Sequence, residues 1–299
     1  MENASYAVCY GEVLWDILDG KPQLGGAPLN VCYHLSKLGL ASTIISQVGY
    51  DQAGKNLLSE MENLGVSGKH CSVSSEYPTS TVIVHTKEDK VTYEITANVA
   101  WDHITVDPAL LPIIAGADVF IYGSLAARNV TTRDTLFTYL AHAKWKVFDI
   151  NLRANHYSRQ LILDLLTKCQ TLKVNDEELA LLGDWLDGVA AQQEAIIAAL
   201  FTQFSNIEEI ILTSGATGAT YYGGGEKITA PGIKVDVVDT VGCGDALLAA
   251  FVAQKLAGKS IQECLVHAVN LSAFIATKRG GCPDYETDHI PGFIATLPQ

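Results

Sequence analysis

The sequence predicts an α/β fold: a mostly parallel sheet covered by helices on both faces, with a small β-sheet set apart from it. Two observations carry this. Short apolar runs of strand length alternate with longer runs of helical period along most of the chain, as crossover connections between parallel strands require. Two segments, 12–24 and 79–96, break that rhythm and read as extended and turn-rich.

Taken in order, Tyr6-Ala7-Val8-Cys9-Tyr10 reads as the first strand. Residues 28–38 read as a helix: Pro28 suits the first turn, Val31, Leu35 and Leu38 share one face, and Gly39 ends it. A strand over 43–45 and a helix over 53–64, closed by Gly65, follow. Residues 79–86 and 91–96 form a hairpin around the charged turn Lys87-Glu88-Asp89-Lys90. Buried-type strands come at 119–122, 146–150, 171–174 and 210–212, with helices at 131–143, 159–168, 177–182 and 190–204. Ser260 and Glu263 form a capping-box pair that opens a last long helix. The hairpin and residues 12–24 are either a lid that excludes water from a site at the strand ends or an edge sheet without that role.

With 299 residues and 48% hydrophobic content, the chain can bury a large core, as two domains or as one α/β domain with an insertion. Charged residues are only 18%, which argues against disorder. The net charge is -13 and no basic patch stands out, so nucleic-acid binding is disfavoured. An acidic chain can still bind a phosphate donor when Mg²⁺ and backbone N–H groups supply the local field. Seven cysteines, without a C-x-x-C pair or zinc spacing, read as reduced thiols of a cytoplasmic protein. The opening Met1-Glu2-Asn3-Ala4 lacks a signal-peptide pattern, and no uncharged apolar run reaches about 18 residues, so neither secretion nor a membrane partner is expected.

The most informative stretch is Asp239-Thr240-Val241-Gly242-Cys243-Gly244-Asp245, followed by the apolar run Ala246-Leu247-Leu248-Ala249-Ala250-Phe251. Glycines let backbone N–H groups converge, and a helix N-terminus adds positive potential, so this turn can cradle an anion. A carboxylate beside the cradle can take a proton from an attacking hydroxyl. The alternative is an ordinary strand-to-helix turn in which Asp245 only caps.

Four more patterns fit the same chemistry. Gly25-Gly26-Ala27-Pro28-Leu29-Asn30 either allows close ligand approach and projects an amide from a first helical turn, or is a plain loop with its N-terminal turn. Asp149-Ile150-Asn151-Leu152-Arg153 follows a strand, where ligands of open α/β sheets bind, and Arg153 suits either a phosphate or a surface ion pair. Asn175-Asp176-Glu177-Glu178 fits the water shell of Mg²⁺, or simply acids at a helix start. Leu212-Thr213-Ser214-Gly215-Ala216-Thr217-Gly218 is a second strand-to-glycine turn, suited to a nucleotide.

In this order along the chain, the motifs resemble the ribokinase/PfkB family of carbohydrate and nucleoside kinases, and the resemblance covers essentially the whole sequence. It implies a three-layer ribokinase-like fold in one domain, 1–299, with lid segments at about 12–27 and 76–105. The implied reaction moves the γ-phosphoryl group of ATP to a sugar hydroxyl, with Mg²⁺ and a monovalent cation such as K⁺. By resemblance Asp245 is the base, Gly242, Cys243 and Gly244 form the anion hole, and Arg153 meets the transferred phosphate. Cys243 stands where the family has alanine; a low-pKa thiol at this helix start is a secondary expectation. Asn175 and Glu178 resemble the magnesium-water motif, Thr213, Gly215 and Gly218 contact ATP, and Asn270 lies near the adenine. Asp239, Val241 and Gly280 resemble a monovalent-cation site.

The opening Gly11-Glu12-Val13-Leu14-Trp15-Asp16 is similar to the fructokinase branch. Asp16, Gly25, Gly26 and Asn30 would hold the sugar, and Trp101 would close over it. The expected partners are a small sugar and ATP, and a homodimer through the lid is left open. Kinases for another sugar, a sugar acid or a nucleoside remain alternatives, as does a catalytically silent binding protein on this fold. A dinucleotide-binding dehydrogenase is disfavoured, because no G-x-G-x-x-G follows the first strand.

Overall fold

The computed structural model describes residues 5–18, 20–87, 90–186, 188 and 190–295. Met1-Glu2-Asn3-Ala4, and Glu88 and Asp89 of the expected charged turn, lie outside the described residues.

The chain opens with β1 (Tyr6–Tyr10), β2 (Leu14–Leu18), β3 (Lys21–Gly25), α1 (Ala27–Lys37), β4 (Ala41–Gly49), α2 (Gln52–Asn63) and β5 (Cys71–Ser74). Next come β6 (Ser80–Lys87), β7 (Lys90–Ile95), α3 (Leu111–Gly116), β8 (Val119–Gly123), α4 (Val130–Leu140) and β9 (Trp145–Asp149). After these lie α5 (Arg159–Leu166), β10 (Thr171–Asn175), α6 (Asp176–Trp185), α7 (Gln193–Gln203) and β11 (Glu209–Thr213). The last elements are β12 (Gly218–Gly223), β13 (Glu226–Pro231), α8 (Cys243–Leu256), α9 (Ile261–Ala276) and α10 (His289–Ala295).

Nine strands form the main sheet in the order β13-β12-β11-β10-β9-β8-β1-β4-β5. From β11 to β5 every neighbour is parallel, whereas β12 and β13 add an antiparallel edge. Strand alternation splits the core into two layers. Ala7 and Cys9 of β1 join the layer under α1, α2, α8 and α9, while Val8 and Tyr10 join the layer under α3 to α7. Helices thus cover both faces, as the alternating pattern requires. The glycine turn after β11 continues into an edge hairpin, which sequence periodicity did not indicate.

Local chemistry sets the helix ends. Asn175 with Glu178 and Ser260 with Glu263 make reciprocal capping boxes at α6 and α9. Pro28 sits in the first turn of α1, and Gly39, just past its C-cap, has φ +79, open to glycine without strain.

The small sheet runs β3-β2-β6-β7 and stands apart from the main one. Its root is pinned by Asp51, the N-cap of α2. The Asp51 carboxylate accepts from Gly54 N at 2.7 Å, Thr79 N at 2.8 Å and Thr79 Oγ1 at 2.7 Å. All seven cysteines are free thiols. Among the described residues, no helix is long and apolar enough to cross a membrane.

Asp51 both caps α2 and anchors the lid. Asp51→Ala should therefore lower unfolding stability by about 1–2 kcal/mol, the size of a lost N-cap with its added hydrogen bonds. A urea titration checks this; a midpoint equal to wild type would refute the anchoring role.

Candidate active site

The glycine turn before α8 sits where two helix N-termini meet. Gly242 occupies the N-cap of α8 in the left-handed region, with φ +78. A Cβ there would lie 2.6 Å from Gly281 Cα, so only glycine fits. Asp245, in the first turn of α8, is buried and accepts a hydrogen bond from Asn30 Nδ2 at 2.8 Å. Asn30 belongs to the first turn of α1, its N–H bonded to Gly26 O at 2.9 Å.

Asp245 faces a cavity of about 160 Å³ at the carboxyl ends of the strands. Glu12, Asp16, Asn30, Arg153 and Lys173 supply its polar lining. Leu14, Val82 and Ile95 of the small sheet line one side of it. Gly25 makes room for the Asp16 carboxylate: a Cβ on Gly25 would sit 2.0 Å from Asp16 Oδ2. Gly26, with φ +111, also admits no side chain: a Cβ on it would sit 2.3 Å from Glu12 O.

Burial dominates the electrostatics. It raises the Asp245 carboxyl to about 6, helped by Asp149 and opposed by the Asn30 hydrogen bond, Lys173 and Arg153. Asp16 is pushed up to about 7 by burial, with Asp245 and Asp239 adding to the effect and Arg153 opposing it. Glu12 is also raised to about 7 by burial, and its Oε2 has no hydrogen-bond partner. Lys173 is the compensating cation. Burial works against its charge, but Asp149, Glu178 and Asp245 outweigh that and raise its pKa. Its Nζ lies 2.8 Å from Asp149 Oδ2, and a Cβ on Gly244 would approach it to 3.3 Å.

Arg153 leans on its own loop, with Nη1 donating to Asn151 Oδ1 at 2.6 Å. Glu178 secures the same loop. Its Oε1 accepts from Leu152 N at 2.8 Å and its Oε2 from Asn175 N at 2.9 Å. Glu178 is therefore first a capping and loop-holding carboxylate, although each oxygen keeps a further lone pair. Asp149 Oδ1, nearby, is buried without any partner. The unpartnered Asp149 Oδ1 and the remaining lone pairs of Glu178 are hard oxygen donors of the kind a water-bound Mg²⁺ takes.

A second, mostly apolar groove of about 630 Å³ runs along the other side of the turn, lined by Gly215, Gly218, Val235, Val269 and Ala273, among others. Its shape and lining fit a nucleotide base. Thr240 lines both this groove and the polar cavity, so the two meet at the glycine turn. Thr213 and Asn270 are not part of the groove wall: Thr213 ends β11 opposite Asn175, and Asn270 is half-buried on α9 beside Val269. Asp239, Val241 and Gly280 do come together. The Asp239 carboxylate accepts from Val241 N at 3.0 Å and Gly280 N at 2.9 Å.

Two expectations fail. Trp101 does not reach the cavity: it is 0% exposed, because residues 100–103 fold into a 3-10 turn against α4 instead of extending the lid. The Arg128 guanidinium stacks on its ring at 4.1 Å. Cys243 is not a low-pKa thiol, since burial, with Asp239 and Asp245, pushes it up to about 12. Lys173 and Glu12 are additional cavity residues that motif reading passed over. A lone lysine inside an apolar parallel strand was the available signal, since buried lysines are almost always paired.

Raised carboxyl pKa values carry a sign for stability. The folded protein binds protons at Glu12, Asp16 and Asp245 more tightly than the unfolded chain. Their contribution favours folding below about pH 4 and is lost as pH rises through about 6 to 7. Asp245→Asn should thus stabilise the ligand-free protein at pH 8, by up to about 3 kcal/mol, with the two proteins converging below about pH 4. Thermal unfolding at both pH values checks this; an Asn variant less stable than wild type at pH 8 would contradict it.

Known proteins share this fold. The description "pfkB family carbohydrate kinase" matches residues 4–288. Fructokinase-2 of Zea mays is 28% identical over 283 residues, covering 88% of this chain and 82% of its own. The structure of a fructokinase with bound ATP from Xylella fastidiosa superposes with TM-score 0.83 at 20% identity, covering 98% and 99% of the two chains. A double mutant of the fructokinase from Vibrio cholerae, bound to fructose, ADP and potassium, gives TM-score 0.83 at 21% identity over 97% and 98%. With nearly all of its length matched and its three layers superposing on these enzymes, the chain belongs to the pfkB family of carbohydrate kinases and has the ribokinase-like fold.

Proposed function

We propose that the protein phosphorylates fructose with ATP, giving fructose 6-phosphate and ADP. The observation that carries this reading is the buried Asp245 carboxylate at the turn where a polar, sugar-sized cavity meets an apolar groove. In the reaction, the attacking sugar hydroxyl gives its proton to Asp245 as its oxygen bonds to the γ-phosphorus. The bond to the bridging oxygen then breaks and ADP leaves. Gly242, Cys243 and Gly244 offer N–H groups at a helix N-terminus for the transferred phosphoryl group. Arg153 and Lys173 neutralise its charge from the cavity wall. A carboxyl raised to about 6 remains largely ionised at neutral pH while being a stronger base than an ordinary aspartate.

Asp16, Asn30, Gly25 and Gly26 shape the sugar side. Trp101 supports that wall from the core without touching sugar. Gly215 and Gly218 line the nucleotide side, while Thr213 and Asn270 act from its margins. Asn175, Glu178 and Asp149 would hold Mg²⁺ through water, and the ion would neutralise phosphate charge. Asp239, Val241 and Gly280 would organise a monovalent-cation site, for which K⁺ is the candidate. The whole chain acts as one kinase domain. Free buried thiols support a cytoplasmic setting, and Ile83, exposed on the lid, supports pairing of two copies there.

An ADP-release panel over ketohexoses, aldohexoses, ribose, sugar acids and nucleosides tests the substrate. Fructose should give the highest kcat/KM, and a tenfold or larger preference for another class would overturn it. In the same assay Asp245→Asn should lose about 10²–10⁴-fold in kcat with little change in sugar KM.

Asp16→Ala tests the sugar side separately. Its sugar KM should rise about tenfold or more, the value of a hydrogen bond to a charged group, with ATP KM within about twofold. A raised ATP KM with unchanged sugar KM would move Asp16 to the other substrate.

A further inference from the structure

The geometry points to Arg128 as a positioning residue: with His156 it latches the lid to the loop that carries Arg153, so that sugar and nucleotide binding are coupled. The coupling part rests on the kinase reading above; the latch itself does not.

Arg128 follows a short 3-10 turn, Leu125–Ala127, after β8. Its side chain is 8% exposed and that of Asp102 2%, so this is a buried ion pair. The pair is bidentate, with Nε at 2.7 Å from Asp102 Oδ1 and Nη2 at 2.8 Å from Asp102 Oδ2. Asp102 is held in turn by Val99 N at 3.2 Å. Nη2 also donates to Thr96 O at 2.6 Å, and Nη1 reaches His156 Nδ1 at 3.2 Å. A neutral imidazole accepts this bond, and His156 is kept neutral by burial and by Arg128, against Asp102. One rigid fork thus engages three segments at once.

Two of those segments adjoin residues that line the cavity. Thr96 directly follows Ile95, the lid residue that lines it, and Leu125 lines it three residues before Arg128. His156 closes a turn with its N–H on Arg153 O at 3.0 Å, and Arg153 lines the opposite wall. The lid exit beside this junction is a strained point. Asn98 has φ +60, in the left-handed region, and its side chain bonds His103 Nε2 at 2.8 Å. Tyr77, at another lid connection, stacks on His103 at 3.5 Å. Two of the four chain connections of the lid therefore meet at the 100–103 turn that Arg128 grips. Any swing of the lid must pull on Thr96 O. The same guanidinium passes that pull to His156 and the Arg153 turn.

His156 is half-buried, so His156→Ala should leave the fold intact while cutting one arm of the latch. His156→Gln keeps an acceptor for Arg128. Arg128→Lys keeps a charge for Asp102 but cannot serve Thr96 and His156 as well. In wild type, saturating fructose should strengthen ADP binding about fivefold or more. In His156→Ala and Arg128→Lys that gain should drop below about twofold, with ADP affinity in the absence of sugar within about twofold of wild type. His156→Gln should restore it. Amide hydrogen exchange of ligand-free protein reads the latch without the reaction: in His156→Ala, segments 94–98 and 151–157 should both exchange faster. Faster exchange in 151–157 alone, or a coupling gain unchanged in both variants, overturns the proposal. Absence of any sugar-dependent gain in wild type overturns the coupling, whereas the kinase reading is decided separately by the ADP-release panel.

Discussion

The close approach of two helix N-termini is the constraint on which the site depends. Asn30 of α1 donates to Asp245 of α8, and glycine backbone packs against both helix starts. A Cβ on Gly281 would lie 2.5 Å from Asn30 Nδ2, and one on Gly242 would meet Gly281 itself. The segment after α9 is therefore a wedge of backbone between the two helices. His34 secures it, with Nε2 at 3.0 Å from Gly281 O and Nδ1 at 3.0 Å from Tyr285 Oη. Burial lowers His34 to about 4, so the imidazole is neutral and serves as a fixed link.

Packing the helices this tightly leaves several carboxylates in a nearly dry cleft. Glu12, Asp16, Asp149 and Asp245 gather near Arg153 and Lys173. The apoprotein holds this charge at a cost, and it has unsatisfied acceptors at Glu12 Oε2 and Asp149 Oδ1 to show for it. On the proposed reading, sugar hydroxyls and a cation would relieve both deficits at once. Strain of this kind persists only where the surrounding fold over-determines the geometry, as the two core layers do here.

Much of this was legible in the sequence. Pro28, Gly39, Ser260 and Glu263 mark helix ends by chemistry local to a few residues, and the capping box at Asn175 and Glu178 follows the same rule. The glycine turns were readable because a missing Cβ leaves a trace in composition. The lid hairpin showed because period-two patterning broke the helix–strand alternation. What stayed hidden depends on tertiary placement. Trp101 looks like a lid residue by position and becomes core only because the 100–103 turn folds onto α4. Cys243 sits at a helix start, which favours a thiolate, but burial beside Asp239 and Asp245 outweighs the helix. Lys173 needed the strand order to bring β10 next to β9 and its Asp149.

The pairing inside the lid has a consequence for how the molecule assembles. β2 lies parallel to β6, with Leu14 opposite Ser80, so the lid joins chain segments separated by α1, β4, α2 and β5. A hairpin could form early from local contacts, but this pairing has a high contact order and must wait for loop closure through the intervening layer. The roof of the cavity is consequently a late structure on the folding route. The small sheet therefore depends on the body beneath it, because its strands pair only across segments far apart in sequence.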